Sequence, residues 1–356
     1  MLFIPFFLHG SIFIAGQNTK SQPTLWITDK RGTKLGTRIL DNFQAGKPLS
    51  IISNKTQVFI CGQTQNGATS QPCLWITNVF GIIPQKILLS KQAGTALSMA
   101  CDTNRLYIAG SCSNQSTLWI VDLNSHQVIK QPIGVGYIIS SLTIASERLY
   151  LIGATSKLLG PINAATLWIC DLQGNLEGGP HFIANIGTVP SSLSQADNFI
   201  YILSCNGNNP SRGYYLTKVN LDGTVQENVR FEILSSDSPT YNLSIVDSTS
   251  FMLTAKGIYT TPLSEMTSTP YDLALPISSS KWNDCSITNQ VSIAGVDTLS
   301  RASLFIYDIQ GNLINTANLD DSGSSASCLI HTPYQLNPPT RPSSQPFFEV
   351  KKGLFR

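Results

Sequence analysis

The chain has 356 residues, of which 42% are hydrophobic and 12% charged, with 23 Lys+Arg against 21 Asp+Glu and a formal net charge of +2. So small a charge excess argues against nucleic acid or an anionic membrane as a partner held by bulk electrostatics. Fifteen Phe, 11 Tyr and 5 Trp can build a packed core, which excludes a disordered chain, and no apolar run reaches the roughly 18 residues of a transmembrane helix.

The first segment, MLFIPFFL (1–8), is apolar but has no Lys or Arg and is interrupted by Pro5, so it makes a poor signal peptide. Cleavage after Gly16 would also remove SIFIAG (11–16), which opens a repeat. That phrase returns as VFICG (58–62), RLYIAG (105–110), RLYLIG (148–153), FIYILS (199–204), SFMLTA (250–255) and QVSIAG (290–295). Each copy is followed by a second phrase: LWITD (25–29), LWITN (74–78), LWIVD (118–122), LWICD (167–171), LTKVN (216–220), IYTTP (258–262) and LFIYD (304–308). A third phrase precedes each later copy: PLSIIS (48–53), ALSMAC (96–101), SLTIAS (141–146), SLSQAD (192–197), NLSIVD (242–247) and DCSITN (284–289), with a last one, SASCLI (325–330), left over at the end. Looser segments such as 34–40, 85–89 and 312–319 come fourth.

These short β-branched and aromatic runs, bounded by Gly, Asn, Ser and Pro, read as strands. In order within a repeat they are strands a, b, c and d. Residue 26 and its counterparts 75, 119, 168, 217, 259 and 305 are spaced 42–49 apart, the period of a propeller blade. The predicted fold is therefore all-β: a seven-bladed β-propeller of four-stranded antiparallel blades. Because the chain starts at a strand b and ends on a lone strand a, the C-terminal inner strand is expected to join the N-terminal strands and close the ring. A rival count uses 2–8 as the first strand a. Residues 1–336 then form one propeller domain and 337–356 (NPPTRPSSQPFFEVKKGLFR) a Pro-rich extended tail with a basic end, which either packs along the ring or moves freely.

Between c and d an Asp/Asn-x-x-Gly turn recurs (Asp29…Gly32, Asn78…Gly81, Asp171…Gly174, Asn220…Gly223, Asp308…Gly311), with Gly expected at positive φ. Strand a carries Ser50, Ser98, Thr143, Ser194, Ser244, Ser286 and Ser327, taken as one small-residue position near the axis. Strand c is apolar without alternation, as expected if both its faces are covered by neighbouring blades.

The combination of YIAG (107–110) and YYLTKVNLDG (214–223), repeated in variants along nearly the whole chain, resembles bacterial propeller repeats, in particular the seven-bladed β-propeller repeat (SBBP-like) family. The resemblance implies a binding or scaffold role, often on exported proteins. The Trp of strand c departs from the family pattern, and no catalytic residue carries over. Two residues separate that Trp from the Asp and no Gly-His precedes the blades, so this is not a WD-type repeat.

Eight Cys are scattered without a CxxC pair and mostly sit in apolar strands, as buried thiols do; Cys61–Cys73 is the one local pair that could form a disulfide. The four His show no metal-ligand spacing, and there is no GxSxG or Walker loop. No cofactor and no metal is expected. Trp26, Trp75, Trp119 and Trp168 could stack sugars but share one buried-strand position, so packing between blades is the better account. The b–c connections (17–24, 63–73, 111–117, 154–166, 205–212, 296–302) vary in length and polarity, and should share a face with d–a connections such as 41–47, 235–240 and 320–324. The candidate contacts there are Asn66, Asn114, Asn206, Asn208, Arg212, Trp282, Asp320 and Asp321. The expected function is a non-catalytic module, monomeric, that offers this face to a protein or glycan; the alternative is a hydrolase or lyase working at the channel mouth. The sequence leaves an exported and a cytoplasmic location equally open.

Overall fold

The computed structural model describes residues 11–54, 56–82, 84–113, 115–135, 137–155, 165–183, 188–206, 214–231, 242–246, 249–254, 257–262, 271–274, 286–287, 290–296, 299–308 and 313–331. Residues 1–8, the tail 337–356, and the candidates Asn114, Asn208, Arg212 and Trp282 lie outside them.

Among the described residues there are strands and no helix, in four-stranded antiparallel sheets built from consecutive segments. The chain enters at β1 (Ser11–Gln17), β2 (Pro23–Asp29) and β3 (Lys34–Ile39). Next come β4 (Gly46–Ser53), β5 (Gln57–Asn66), β6 (Thr69–Asn78) and β7 (Gln85–Leu88). They are followed by β8 (Gly94–Cys101), β9 (Arg105–Cys112), β10 (Gln115–Asp122) and β11 (Val128–Val135). Then β12 (Tyr137–Ala145), β13 (Arg148–Thr155), β14 (Ala165–Asp171) and a short β15 (His181–Phe182) form a sheet. So do β16 (Thr188–Ala196), β17 (Phe199–Asn206), β18 (Tyr214–Asn220) and β19 (Val225–Phe231). The run continues with β20 (Asn242–Val246), β21 (Thr249–Thr254), β22 (Gly257–Pro262) and β23 (Tyr271–Ala274). It ends with β24 (Ser286–Ile287), β25 (Gln290–Val296), β26 (Arg301–Asp308) and β27 (Leu313–Ser322). The last strand, β28 (Ser325–His331), returns to the start and pairs antiparallel with β1, giving the order β28-β1-β2-β3.

Strand c is covered on both faces, and its alternation divides the core between seams. Trp26 packs with Ala294, Ala302, Leu304, Ile306 and Leu319 of the β24–β27 sheet, whereas its neighbours Leu25 and Ile27 pack with Ile51, Val58, Ile60 and Trp75 of the β4–β7 sheet. One sheet further on, Leu74 and Ile76 face Leu106, Ile108 and Trp119, and Leu118 and Ile120 face Leu149, Leu151 and Trp168. Thus each of these tryptophans inserts into the sheet before its own, and the first inserts into the sheet holding β26. All four are buried, as inter-sheet packing requires and a sugar-stacking ladder does not.

The turn glycines occupy the same seams. Gly32, Gly81, Gly174 and Gly223 have φ of 83°, 70°, 87° and 90°. In the first three turns the preceding Asp or Asn accepts backbone N–H bonds through its Oδ1, as from Arg31 and Thr33 to Asp29 at 2.9 and 2.7 Å. In the turn after β10 the loop is longer and His126, at φ 57°, takes the place of Gly. Gly311 lies outside the described residues.

Two expectations need correction. The strand-a serines do not share one register: Ser50, Ser98, Ser141 and Ser192 stand opposite Cys61, Ala109, Ile152 and Leu203, while Thr143 and Ser194 lie two residues further along, opposite Tyr150 and Tyr201. A β-bulge stands at the same place in all four pairs, at Leu49, Leu97, Ser140 and Ser191, so the equivalent residues are Ser50, Ser98, Ser141 and Ser192, and matching Thr143 and Ser194 to Ser50 and Ser98 aligned the phrases two residues out of step. Segments 63–73 and 111–117 are also not free loops. They continue the ladder, with Gln63↔Pro72 through Asn66↔Thr69 in one and Ser111↔Ser116 in the other.

Candidate functional site

The b–c and d–a connections meet at one end of the sheets and are hydrogen-bonded to one another. Gly46 N–H donates to Ser21 O at 3.0 Å, Gln65 N–H to Ala45 O at 2.8 Å, Ser113 N–H to Ala93 O at 2.8 Å and Gly323 N–H to Ser300 O at 2.7 Å. Side chains add further ties: Gln22 Nε2 donates to Asn42 O at 3.2 Å, and Gln71 Nε2 to Lys91 O at 2.5 Å. Both glutamines precede a proline and sit just ahead of the Leu-Trp-Ile run, so one local phrase makes the same brace in adjacent sheets.

Beneath this surface two lysines lie opposite tryptophans, Lys86 across from Trp75 and Lys130 across from Trp119. Lys86 Nζ contacts Asp41 Oδ2 at 2.6 Å and Gln44 Oε1 at 2.5 Å, both on the connection from β3 to β4. Lys130 Nζ contacts Gln92 Oε1 at 3.2 Å and Cys112 Sγ at 3.2 Å. Burial disfavours the Asp41 carboxylate, but the Lys86 bond and the N–H groups of Phe43 and Gln44 outweigh it and hold its pKa below the usual 3.8. Asp41 Oδ1 accepts from Phe43 N at 2.9 Å and Gln44 N at 3.2 Å, and the Phe43 side chain projects from this turn fully into solvent.

Of the sequence-predicted contacts, Asn66 flanks the tight β5–β6 turn and is exposed, and Asn206 ends β17 opposite Thr188. Asp320 and Asp321 are near the end of β27, where Asp321 N–H donates to Asp320 Oδ1 at 2.9 Å and Ser324 Oγ donates to Asp321 O at 2.6 Å. The four lie in three different sheets but at the same end of each. The sequence reading missed Phe43, whose signal was present: an aromatic residue inside the polar stretch DNFQAGK.

Cys61 and Cys73 are both buried thiols; Cys61 faces the β8–β11 sheet and Cys73 the β1–β3 strands, on opposite sides of one sheet, which forbids a bridge. Among the described residues no group of His, Cys, Asp or Glu is arranged to hold a metal ion, and no helix is long and apolar enough to cross a membrane.

No protein-family model matches the chain, and no curated protein matches it in sequence. Solved structures do resemble it. A quinonprotein alcohol dehydrogenase-like protein from Bacteroides thetaiotaomicron aligns at 12% identity and a TM-score of 0.60, covering 91% of this chain and 78% of that one. A functionally unknown protein from Desulfotomaculum acetoxidans aligns at 11% identity and a TM-score of 0.56, over 90% of this chain and 99% of that one. Apo AztD from Citrobacter koseri gives 9% identity and a TM-score of 0.52, over 91% and 98%. At these identities the likeness concerns the fold alone, and the fold is a β-propeller.

Proposed function

We propose that the chain is a seven-bladed propeller of the bacterial propeller-repeat kind, a single domain over 1–336 with a tail at 337–356, acting as a monomeric, non-catalytic binding module. Ring closure is supported by the β28–β1 ladder and by Trp26 inserting between the first and last sheets. It is supported too by Gly32, whose added Cβ would stand 3.0 Å from Ala317 Cβ and 3.4 Å from Ile306 Cδ1, just as Gly81 abuts Ile27 one sheet later. The observation that carries the functional reading is the bracing of b–c connections against d–a connections at one end. Such cross-ties hold a loop surface in one conformation before any partner arrives, which lowers the ordering cost of association. Asn66, Asn114, Asn206, Asn208, Arg212, Trp282, Asp320 and Asp321 are the proposed contacts on that face, for a protein or glycan.

The test replaces residues 65–70 and, separately, 156–164 by Gly-Ser of equal length, leaving the braces at Thr64 and Gln71 intact, and compares partner capture with the intact chain. Loss of capture with unchanged melting is expected. Capture equal to that of the intact chain would remove the reading.

A further inference from the structure

We infer that the seam between the β1–β3 strands and the β4–β7 sheet docks an acidic protein segment through an apolar side chain, with Phe43 as the anchor; the inference rests on the binding-module reading of this end. Phe43 is 96% exposed, the most exposed large hydrophobic residue among those described. A flexible loop would let such a ring fold back onto the surface, but this one is tethered on both sides. Asp41 fixes the N–H groups of Phe43 and Gln44 and is ion-paired to Lys86. Gln22 holds Asn42 O, Thr64 Oγ1 donates to Gln44 Oε1 at 3.1 Å, and Gly46 N–H is bound to Ser21 O. The aromatic is thus presented by a rigid support, the arrangement in which a single side chain contributes most to an interface.

The charge around it fixes the partner's chemistry. Lys86 neutralises Asp41, so the carboxylate beside Phe43 is already used. Lys20, one residue from Ser21, and Lys47, next to Gly46, flank the loop in exposed positions, and Lys91 holds the tip of the corresponding connection in the next seam. Among the described residues none of these three lysines takes part in an ion pair. On the other side, Asp320 and Asp321 stand at the end of β27, in the sheet next to the β1–β3 strands, which bounds the basic area and gives the face a direction. An apolar ring on a loop flanked by two unpaired ammonium groups, with a third in the next seam, complements carboxylates set around an apolar side chain.

The experiment probes the full chain with an array of 12-residue peptides that have Asp/Glu flanks and a central Phe, Leu or Trp. Matched peptides carry a central Ser or uncharged flanks, with heparin as the non-protein polyanion. Binding is expected to need both the flanks and the central apolar residue, to weaken at least tenfold with Phe43→Ser and with the Lys20→Glu/Lys47→Glu pair, and to fall as salt is raised. All three positions are exposed, so melting should not change, and a control melt identifies any variant that fails to fold. Central-Ser peptides binding as well as the apolar ones, affinity indifferent to Phe43→Ser, or retention of heparin without peptide binding would each overturn the inference. If the array fails while Gly-Ser replacement at 65–70 or 156–164 still abolishes capture, only this inference falls; if capture is also unaffected, both fall.

Discussion

Lys86 Nζ lies 2.6 Å from Asp41 Oδ2 across the boundary between two sheets, with side chains 25% and 8% exposed. One sheet later Lys130 has the same place opposite a tryptophan but meets Gln92 and the Cys112 thiol, and no carboxylate. The first contact is therefore a true ion pair in which removal of the acid strands an ammonium group against protein. Asp41→Ala should cost about 2 kcal/mol, between the values for surface and buried pairs. Lys130→Met should cost less, since no charge loses a partner. Urea unfolding of the two variants measures the difference.

The pH dependence of that pair has a definite sign. The folded pKa of Asp41 is depressed, so its stabilisation is fully present above the unfolded value of about 3.9 and is lost as pH falls through the folded one. Intact protein and Asp41→Asn should differ most in melting temperature near pH 6, and the two curves should converge as the pH drops below about 4. A difference that persists to pH 2 would mean that the carboxylate is not what Lys86 requires.

Glycine substitutions separate backbone conformation from space. A Cβ on Gly62 would collide with the Lys47 carbonyl, and one on Gly16 with that of Ser325 in the β28 ladder. Either Ala variant must open a strand pair and should lose about 3 kcal/mol or more. Gly67 has φ +62° but nothing within 4 Å of an added Cβ, so Gly67→Ala should cost only about 1 kcal/mol, the left-handed penalty. Gly16→Ala is the most informative, because it strikes the pairing of the first strand with the last; equal stability of Gly16→Ala and Gly67→Ala would contradict that pairing.

The strands were readable in sequence because packing between sheets imposes a recurring demand: in the first four repeats Leu and Ile on one face of strand c and Trp on the other, and after most copies Asp or Asn with Gly to turn. What escaped was set by pairing geometry. Strand a holds a small hydroxyl residue at both Ser141 and Thr143, and only the pairing with strand b shows that Ser141, not Thr143, is the counterpart of Ser50. Gln63–Asn66 looked like loop because it is polar, yet it pairs residue for residue with Thr69–Pro72. Phe43 did leave a trace, an aromatic inside the polar stretch DNFQAGK, but its exposure and its tethers are set by the fold and cannot be read from that stretch.

Buried thiols and phenols predict alkaline behaviour. Burial raises Cys170 to about 12, with the nearby Asp171 and Glu177 charges adding to it, and raises Cys205 to about 11. Tyr107 is pushed to about 12 by burial and then by its bond to Asp102, and Tyr307 to about 12 by burial. These groups stay neutral in the folded chain while their unfolded counterparts ionise, so stability should be flat up to about pH 8 and decline through pH 9–11. Thiol reagents at pH 8 should leave Cys73, Cys170 and Cys205 unmodified until denaturant is added; rapid labelling of these three in native buffer would contradict the burial.

The tryptophans offer the sharpest packing test. Trp26, Trp75 and Trp119 are fully buried, yet among the described residues none of their indole N–H groups has a hydrogen-bond partner. Their contribution is then volume and apolar area against the preceding sheet, offset by an unsatisfied donor whose burial costs about 1–3 kcal/mol. Trp75→Ala should open a cavity between Ile27, Ile60 and Leu40 and lose about 3–5 kcal/mol. Trp75→Phe also shrinks the side chain but removes the donor, and the two effects oppose each other, so the loss should stay under about 1.5 kcal/mol. If Trp75→Phe proved as damaging as Trp75→Ala in urea unfolding, the indole nitrogen would have to be bonded after all.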